Sequence, residues 1–168
     1  MNALLAFVGG VVGVVTLAIA GHPQVSTPAE LAGDGYLARY REALGGMFRG
    51  DPTQWMALAS HADDATLYPP VGGHERGWNS IRARYLAAVD RMPPGFQDFD
   101  IEVLASGESG DLAYVVTLER SHFRPDASAS VETGFTRVTQ IFRREQGQWR
   151  LLHRHMDHLP EQFTLPAD

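Results

Sequence analysis

Between positions 150 and 159 the chain reads RLLHRHMDHL: three histidines, one aspartate and two arginines in ten residues. Three chemistries fit such a run: a metal nest, an acid–base site, or polar edging on a strand. Alternate side chains of an extended strand point to opposite faces. Trp149, Leu151, His153, His155 and Asp157 therefore form one set, and Leu152, Arg154, Met156 and His158 the other. Same-face neighbours stand about 7 Å apart, a span that suits two histidines on one ion with Asp157 as a third ligand. One strand supplies few ligands, however, and histidines beside a tryptophan suit an outer sheet face that meets solvent or a second copy. No metal is expected. If the other set points inward, Arg154 keeps its proton and must find a carboxylate, a carbonyl or a ligand anion. Asp63, Asp64, Glu119 and Glu132 are the candidate partners. A one-residue bulge would invert the assignment of everything beyond it.

A second group of ionisable residues lies at His61, Asp63, Asp64 and Tyr68. Adjacent strand residues point oppositely, so at most one of the aspartates enters a pocket. In apolar surroundings its pKa would rise, which makes Asp64 a general-base candidate. The competing reading is that both aspartates cap and solvate a helix–strand junction. His74, in a glycine-flanked loop, is either a lid residue or exposed. Glu119, beside Arg120 near a strand end, reads as surface. Trp55, Trp78 and Tyr85 stand at helical spacing and read as core or pocket wall. Hairpin registration would place Val138, Gln140 and Phe142 on the side of Arg154, with Tyr114, Val116 and Leu118 from the strand before. Such a surface, apolar with a few polar points, has the character of a small-molecule pocket.

Composition removes other classes. At 168 residues and 44% hydrophobic, the chain suits one domain with a sizeable core. Acidic residues outnumber basic ones 20 to 14 and no basic run occurs, so no nucleic-acid partner is expected. The chain has no cysteine and no lysine, which excludes a thiol nucleophile, a disulfide framework, a Schiff base and a P-loop lysine. No cofactor motif occurs, and SGESG (106–110) sets its serines out of step with a nucleophile elbow.

Residues 1–29 carry no charged side chain, and LLAFVGGVVGVVTLAIA (4–20) is nearly all apolar. This reads as a secretory signal cleaved after Ala20, so export is expected. An uncleaved membrane anchor remains open, the only membrane contact foreseen, as does a segment that is neither. Residues 21–33 form a linker, the domain covers 34–160, and 161–168 is a tail. Asp34 can cap a first helix with the stripe Leu37, Tyr40, Leu44 and Phe48. Gly45-Gly46 weakens its end. Asp51, Pro52 and Gln54 start a second helix with Trp55 and Leu58 buried. Residues 63–70 hold a short strand and 71–77 a loop, and a third helix carries Trp78, Ile81, Tyr85, Val89 and Met92. The period then changes to two over 98–106, 112–123, 133–145 and 149–158, with EQGQ (145–148) as a tight hairpin turn. Helices first and consecutive antiparallel strands afterwards mean an α+β fold.

The blocks DPTQWMALASHADDATLYPPVGGHERGW (51–78), GDLAYVVTLER (110–120) and TRVTQIFRREQGQWRLLHRHMD (136–157) resemble the SnoaL-like (DUF4440-type) proteins of the NTF2-like superfamily, which includes ketosteroid isomerases, scytalone dehydratase and limonene epoxide hydrolase. The resemblance implies a cone-shaped, curved antiparallel sheet closed by three N-terminal helices around an apolar pocket. It also implies a homodimer through the outer sheet face. The expected ligand is a small, mostly apolar, oxygenated molecule. One functional reading is a cofactor-independent isomerase, dehydratase or hydrolase with Asp64, Arg154, Tyr68 and His155 as catalytic residues. Its pocket would be lined by Trp55, Trp78, Tyr85, Tyr114, Val116, Gln140, Phe142 and Met156. The other is a non-catalytic ligand-binding or dimerisation module. The isomerase trio of an aspartate base, a tyrosine and a protonated acid does not map residue by residue. Nor does the dehydratase couple, since His155 and Asp157 stand two apart on one face. Arg154 tied to an aspartate in a packed cone would favour the module; an unneutralised interior carboxylate would favour the enzyme.

Overall fold

The computed structural model describes residues 35–159. The expected signal or anchor, the linker, the Asp34 cap and the tail lie outside the described residues. Among those described, no helix is long and apolar enough to cross a membrane.

Helix α1, Tyr36–Phe48, begins behind Gly35, whose φ of 66° turns the chain into the helix without a side-chain cap. Its buried line is Tyr36, Tyr40, Ala43, Leu44 and Met47, rotated from the expected stripe so that Leu37 and Phe48 only flank the core. Tyr40 and Leu44 keep their expected places, and Tyr36, Ala43 and Met47 enter the buried line in place of Leu37 and Phe48. Gly45 and Gly46 do not end the helix. They are buried within it, and a Cβ on Gly46 would sit 2.7 Å from the Asp51 carbonyl oxygen, so glycine lets the next turn fold back against the helix. Helix α2, Thr53–Leu58, follows directly; Asp51 Oδ1 accepts from the Thr53 N–H at 2.9 Å, and Trp55 and Leu58 are buried as expected.

Strand β1, Thr66–Tyr68, comes next, and the expected loop contains a two-residue strand, β2, Glu75–Arg76. Helix α3, Trp78–Val89, buries Ile81 and Tyr85. Four long strands complete the described chain: β3, Phe96–Ser109; β4, Leu112–Phe123; β5, Glu132–Glu145; and β6, Gln148–His158. They form with β1 and β2 a curved, unclosed α+β sheet in the order β2-β1-β6-β5-β4-β3. The sheet is not wholly antiparallel, because β1 runs parallel to β6. The Ser60 N–H donates to the Leu151 carbonyl at 2.8 Å and starts this pairing. All of β2 to β5 intervenes before β6, length enough for the crossover a parallel pair requires.

Gln146 and Gly147, at φ 51° and 76°, make the β5–β6 hairpin a two-residue turn and set Glu145 opposite Gln148. The pairing then slips: Phe142 faces Leu151, but Ile141 faces His153, leaving Leu152 as an extra residue. This bulge reverses the expected face assignment across it. Trp149 and Leu151 are buried on the helix-covered side, and so is Arg154. His153 and His155 pass to the other side. A similar slip leaves Leu104 unpaired in β3, and such bulges add bend and twist to a sheet.

Candidate functional site

The helix-covered side of β4, β5 and β6 carries a buried polar cluster inside an aromatic shell. Arg154 Nη2 donates to Glu119 Oε2 at 2.8 Å, with 5% and 9% of the two side chains exposed. Tyr40 from α1 donates its phenol to Glu119 Oε1, which also accepts from Thr117 Oγ1 at 3.3 Å. Tyr36, one turn earlier, donates to Gln140 Oε1 at 3.0 Å. The Arg154 guanidinium lies 4.7 Å from the Trp55 ring centre and 5.7 Å from that of Tyr40. Tyr85 packs edge-on to Trp55, and Phe142 lies 4.3 Å from Tyr36, ring to ring.

Glu119 enters this cluster because Ala113, Val115, Thr117 and Glu119 are the inward residues of β4, opposite Phe142, Gln140, Val138 and Thr136. The expected inward set of Tyr114, Val116 and Leu118 is corrected by one residue. Tyr114 is 39% exposed, and its ring occupies the space a Cβ on Gly107 would need. The long 124–131 connection places no constraint on the β4–β5 register, so only the pairing decides the face. Glu119 is one of the four candidate partners of Arg154, and its reading as surface is the part the structure corrects. Its signal is the i, i+2 run with Val115 and Thr117. The expected surface partner, Arg120, pairs instead with Glu102 at 2.6 Å.

Burial and the adjoining Glu119 carboxylate drive the Tyr40 phenol well above its ordinary pKa, while Arg154 pulls the other way; Tyr36 behaves alike, and burial also raises Tyr85. Burial works against the charge on Arg154, but Glu119 and the surrounding phenols outweigh it, so its pKa rises. Glu119 holds the guanidinium that would otherwise be an uncompensated buried charge. Three donors remain: Trp55 Nε1, Gln140 Nε2 and Arg154 Nε are buried with no hydrogen-bond partner among the described residues.

The remaining sequence-derived residues divide cleanly. Trp55, Tyr85, Gln140, Phe142 and Arg154 converge on the cluster, and half-buried Met156 packs on the core beside it. Trp78 does not converge; it is stacked on His61 at 3.9 Å. Asp64 is a correction. It is exposed and paired with Arg143 at 2.7 and 3.1 Å, and that hydrogen bond lowers its pKa, the reverse of a base in an apolar pocket. The turn at residues 63–64 projects it outward. Tyr68 and His155 are corrected likewise: β1 buries only Leu67, so Tyr68 stands on the outer side, edge-on to His153 and His155 at 5.3 and 5.4 Å. His153 Nδ1 is 2.8 Å from Thr66 Oγ1, and Asp157 pairs with Arg137 at 2.5 Å.

A separate concavity of about 560 Å³ opens at the β5–β6 hairpin, between it and helices α1 and α2. Ala57, Leu58 and Trp149 supply apolar walls; Arg39, Arg144 and Arg150 supply charge, with Glu42 opposite. Arg144 lies over Trp149, 4.2 Å from the ring centre.

The profile of the SnoaL-like domain matches residues 37–152. Among solved structures, an NTF2-like protein of unknown function from Pseudomonas putida KT2440 is 25% identical over 79% of this chain and 88% of its own, with a TM-score of 0.60. A ketosteroid isomerase-like protein from Erwinia carotovora atroseptica is 19% identical, covering 80% of this chain and 99% of that one, again at 0.60. A candidate dehydratase of the NTF2-like family from Streptomyces avermitilis is 19% identical over 79% and 99%, also at 0.60. No match was found among curated proteins.

Proposed function

This chain belongs to the SnoaL-like domain family, and from that premise we propose that it binds a small, apolar, oxygen-bearing molecule inside the cone without acid–base turnover. The observation that carries this reading is the distribution of hydrogen bonds around Arg154. The interior carboxylate, Glu119, is engaged by Arg154, Tyr40 and Thr117, whereas Trp55 Nε1, Gln140 Nε2 and Arg154 Nε have no partner among the described residues. A buried unsatisfied donor costs about 1–3 kcal/mol, so an acceptor oxygen that reached any one of these donors would be bound with a gain.

The enzymatic alternative draws on the ketosteroid isomerase-like and dehydratase neighbours. An isomerase of the known kind sets an aspartate base against a tyrosine and a protonated acid. Here Tyr40 donates its hydrogen bond to Glu119 rather than to a substrate, and Asp64 is exposed and paired with Arg143. General acid–base work wants a group poised near the working pH, and the interior phenols and guanidinium are all driven upward. Pairing of two copies through the outer sheet face, where Tyr114 and Ile141 stand opposite each other near Val116 and Leu118, belongs to the same proposal and is read by sedimentation.

The test is calorimetry and thermal denaturation with steroid, terpenoid and polyketide-like ketones, alongside product analysis by NMR. Binding without conversion, weakened by the pair Tyr36→Phe/Gln140→Leu in a folded protein, supports the reading. Conversion that disappears in Tyr40→Phe would make the protein an enzyme. Unchanged affinity of the double variant for every ligand bound by the parent would remove the interior as the site.

A further inference from the structure

The concavity at the β5–β6 hairpin is independent of the interior cluster and has its own chemistry. We propose that it is a binding site for an amphipathic carboxylate, one anionic group on a flat apolar body.

Charge is the first argument. The chain is acidic, at −6 overall, yet the walls of this 560 Å³ hollow hold three guanidinium groups against one carboxylate. That carboxylate, Glu42, is occupied: its Oε1 accepts from Gln54 Nε2 at 2.8 Å. The volume falls within the range of small-ligand sites.

The second argument is how the guanidinium groups are held. Arg150 is anchored, donating to the Ala57 carbonyl and to Gln148 Oε1, so it contributes charge from a fixed position. Arg144 differs. Its guanidinium lies over the Trp149 ring at 4.2 Å, and the carboxylate of Asp111 is 3.8 Å away, beyond hydrogen-bond length. Stacking fixes the plane of the fork and leaves its N–H edge to receive a carboxylate by two parallel bonds. With the Trp149 face taken up by Arg144, Ala57 and Leu58 in the lining supply the apolar contact for a body of ring size. A bare inorganic anion would use the charge but not these walls.

The experiment uses the full chain and 2-naphthoate, with 2-naphthamide as the uncharged analogue, followed by calorimetry at low and raised salt. Naphthoate should bind in the micromolar to millimolar range, weaken with salt, and lose at least about tenfold in affinity in Arg144→Gln. Naphthamide should bind at least about tenfold more weakly. Tyr36→Phe/Gln140→Leu should leave naphthoate binding unchanged, which separates this site from the interior one. Circular dichroism verifies that Arg144→Gln is folded. Equal affinity of naphthoate and naphthamide, unchanged naphthoate affinity in Arg144→Gln, or no binding at millimolar naphthoate would each overturn the proposal.

Discussion

Glu119 and Arg154, 35 positions apart in sequence, meet at 2.8 Å on the helix-covered side of the sheet. Both side chains are almost wholly removed from water. Burying a pair of this kind costs several kcal/mol of desolvation per ion, so its mutual attraction and added hydrogen bonds must offset that loss. Tyr40, Thr117 and the Trp55 face provide those additions.

Breaking the pair from one side should therefore be severe. Glu119→Ala is expected to lower stability by about 3–5 kcal/mol, since it strands the guanidinium. Urea denaturation measures this. Tyr40→Phe/Glu119→Leu/Arg154→Met, which removes the charges and the dependent phenol together, should regain most of the loss. A triple variant no more stable than Glu119→Ala would show that the cluster contributes beyond charge compensation.

Asp64 should prove irrelevant to the interior. Asp64→Asn is expected to leave ligand affinity as in the parent. Its effect belongs to acid stability, because the hydrogen bond from Arg143 holds its pKa below the ordinary value. The stabilisation is present above the unfolded pKa of about 3.9 and is lost as pH falls through the lower folded value. Urea midpoints between about pH 5 and pH 2 should fall less steeply in Asp64→Asn. Identical slopes would mean that the Arg143 pair carries no linkage.

His153 predicts a second pH dependence. Burial, with His155 adding to it, lowers its pKa, so the unfolded chain binds the proton more readily. Stability attached to neutral His153 is complete above the unfolded value of about 6.5 and declines as pH falls below it. His153→Gln, which keeps a hydrogen-bonding group near Thr66, should flatten the profile between about pH 7 and pH 5. A profile as steep as the parent's would assign the effect to another histidine.

Gly95 tests the backbone. Its φ is 77°, and an added Cβ would lie 1.8 Å from the Arg124 carbonyl oxygen, while its own carbonyl accepts from the Arg124 N–H at 2.7 Å. Gly95→Ala should cost at least about 2 kcal/mol, read as a lower thermal midpoint. A neutral result would require the β3–β4 edge to open without loss.

Much of this protein is legible in its residues. The tight β5–β6 turn is local, since Gln146 and Gly147 supply the positive φ values that join two strands. The short strand within residues 63–70 and the burial of Trp55 and Leu58 follow from spacing and turn residues alone, whereas which face of that strand is buried does not. Arg154 as an inward cation in need of a carboxylate was also readable, and Glu119 was among the residues that could answer it. Asp64 was not resolvable from sequence, because a capping aspartate and a pocket aspartate share the same local signature.

The sequence by itself determined the order of the main elements and the family, though not the two-residue β2 inside a stretch read as loop, because propensity, period and turn chemistry act over a few residues at a time. Only the tertiary structure decided which face each strand shows. A single extra residue at Leu152 places Trp149 and Arg154 on the same side of β6, although an odd number of positions separates them. The β4–β5 register likewise chose Glu119 over Leu118 for the interior. Side-chain direction in a strand has a period of two, so one unpaired residue or one step of register exchanges inside for outside, and those choices are made by partners far away in the chain.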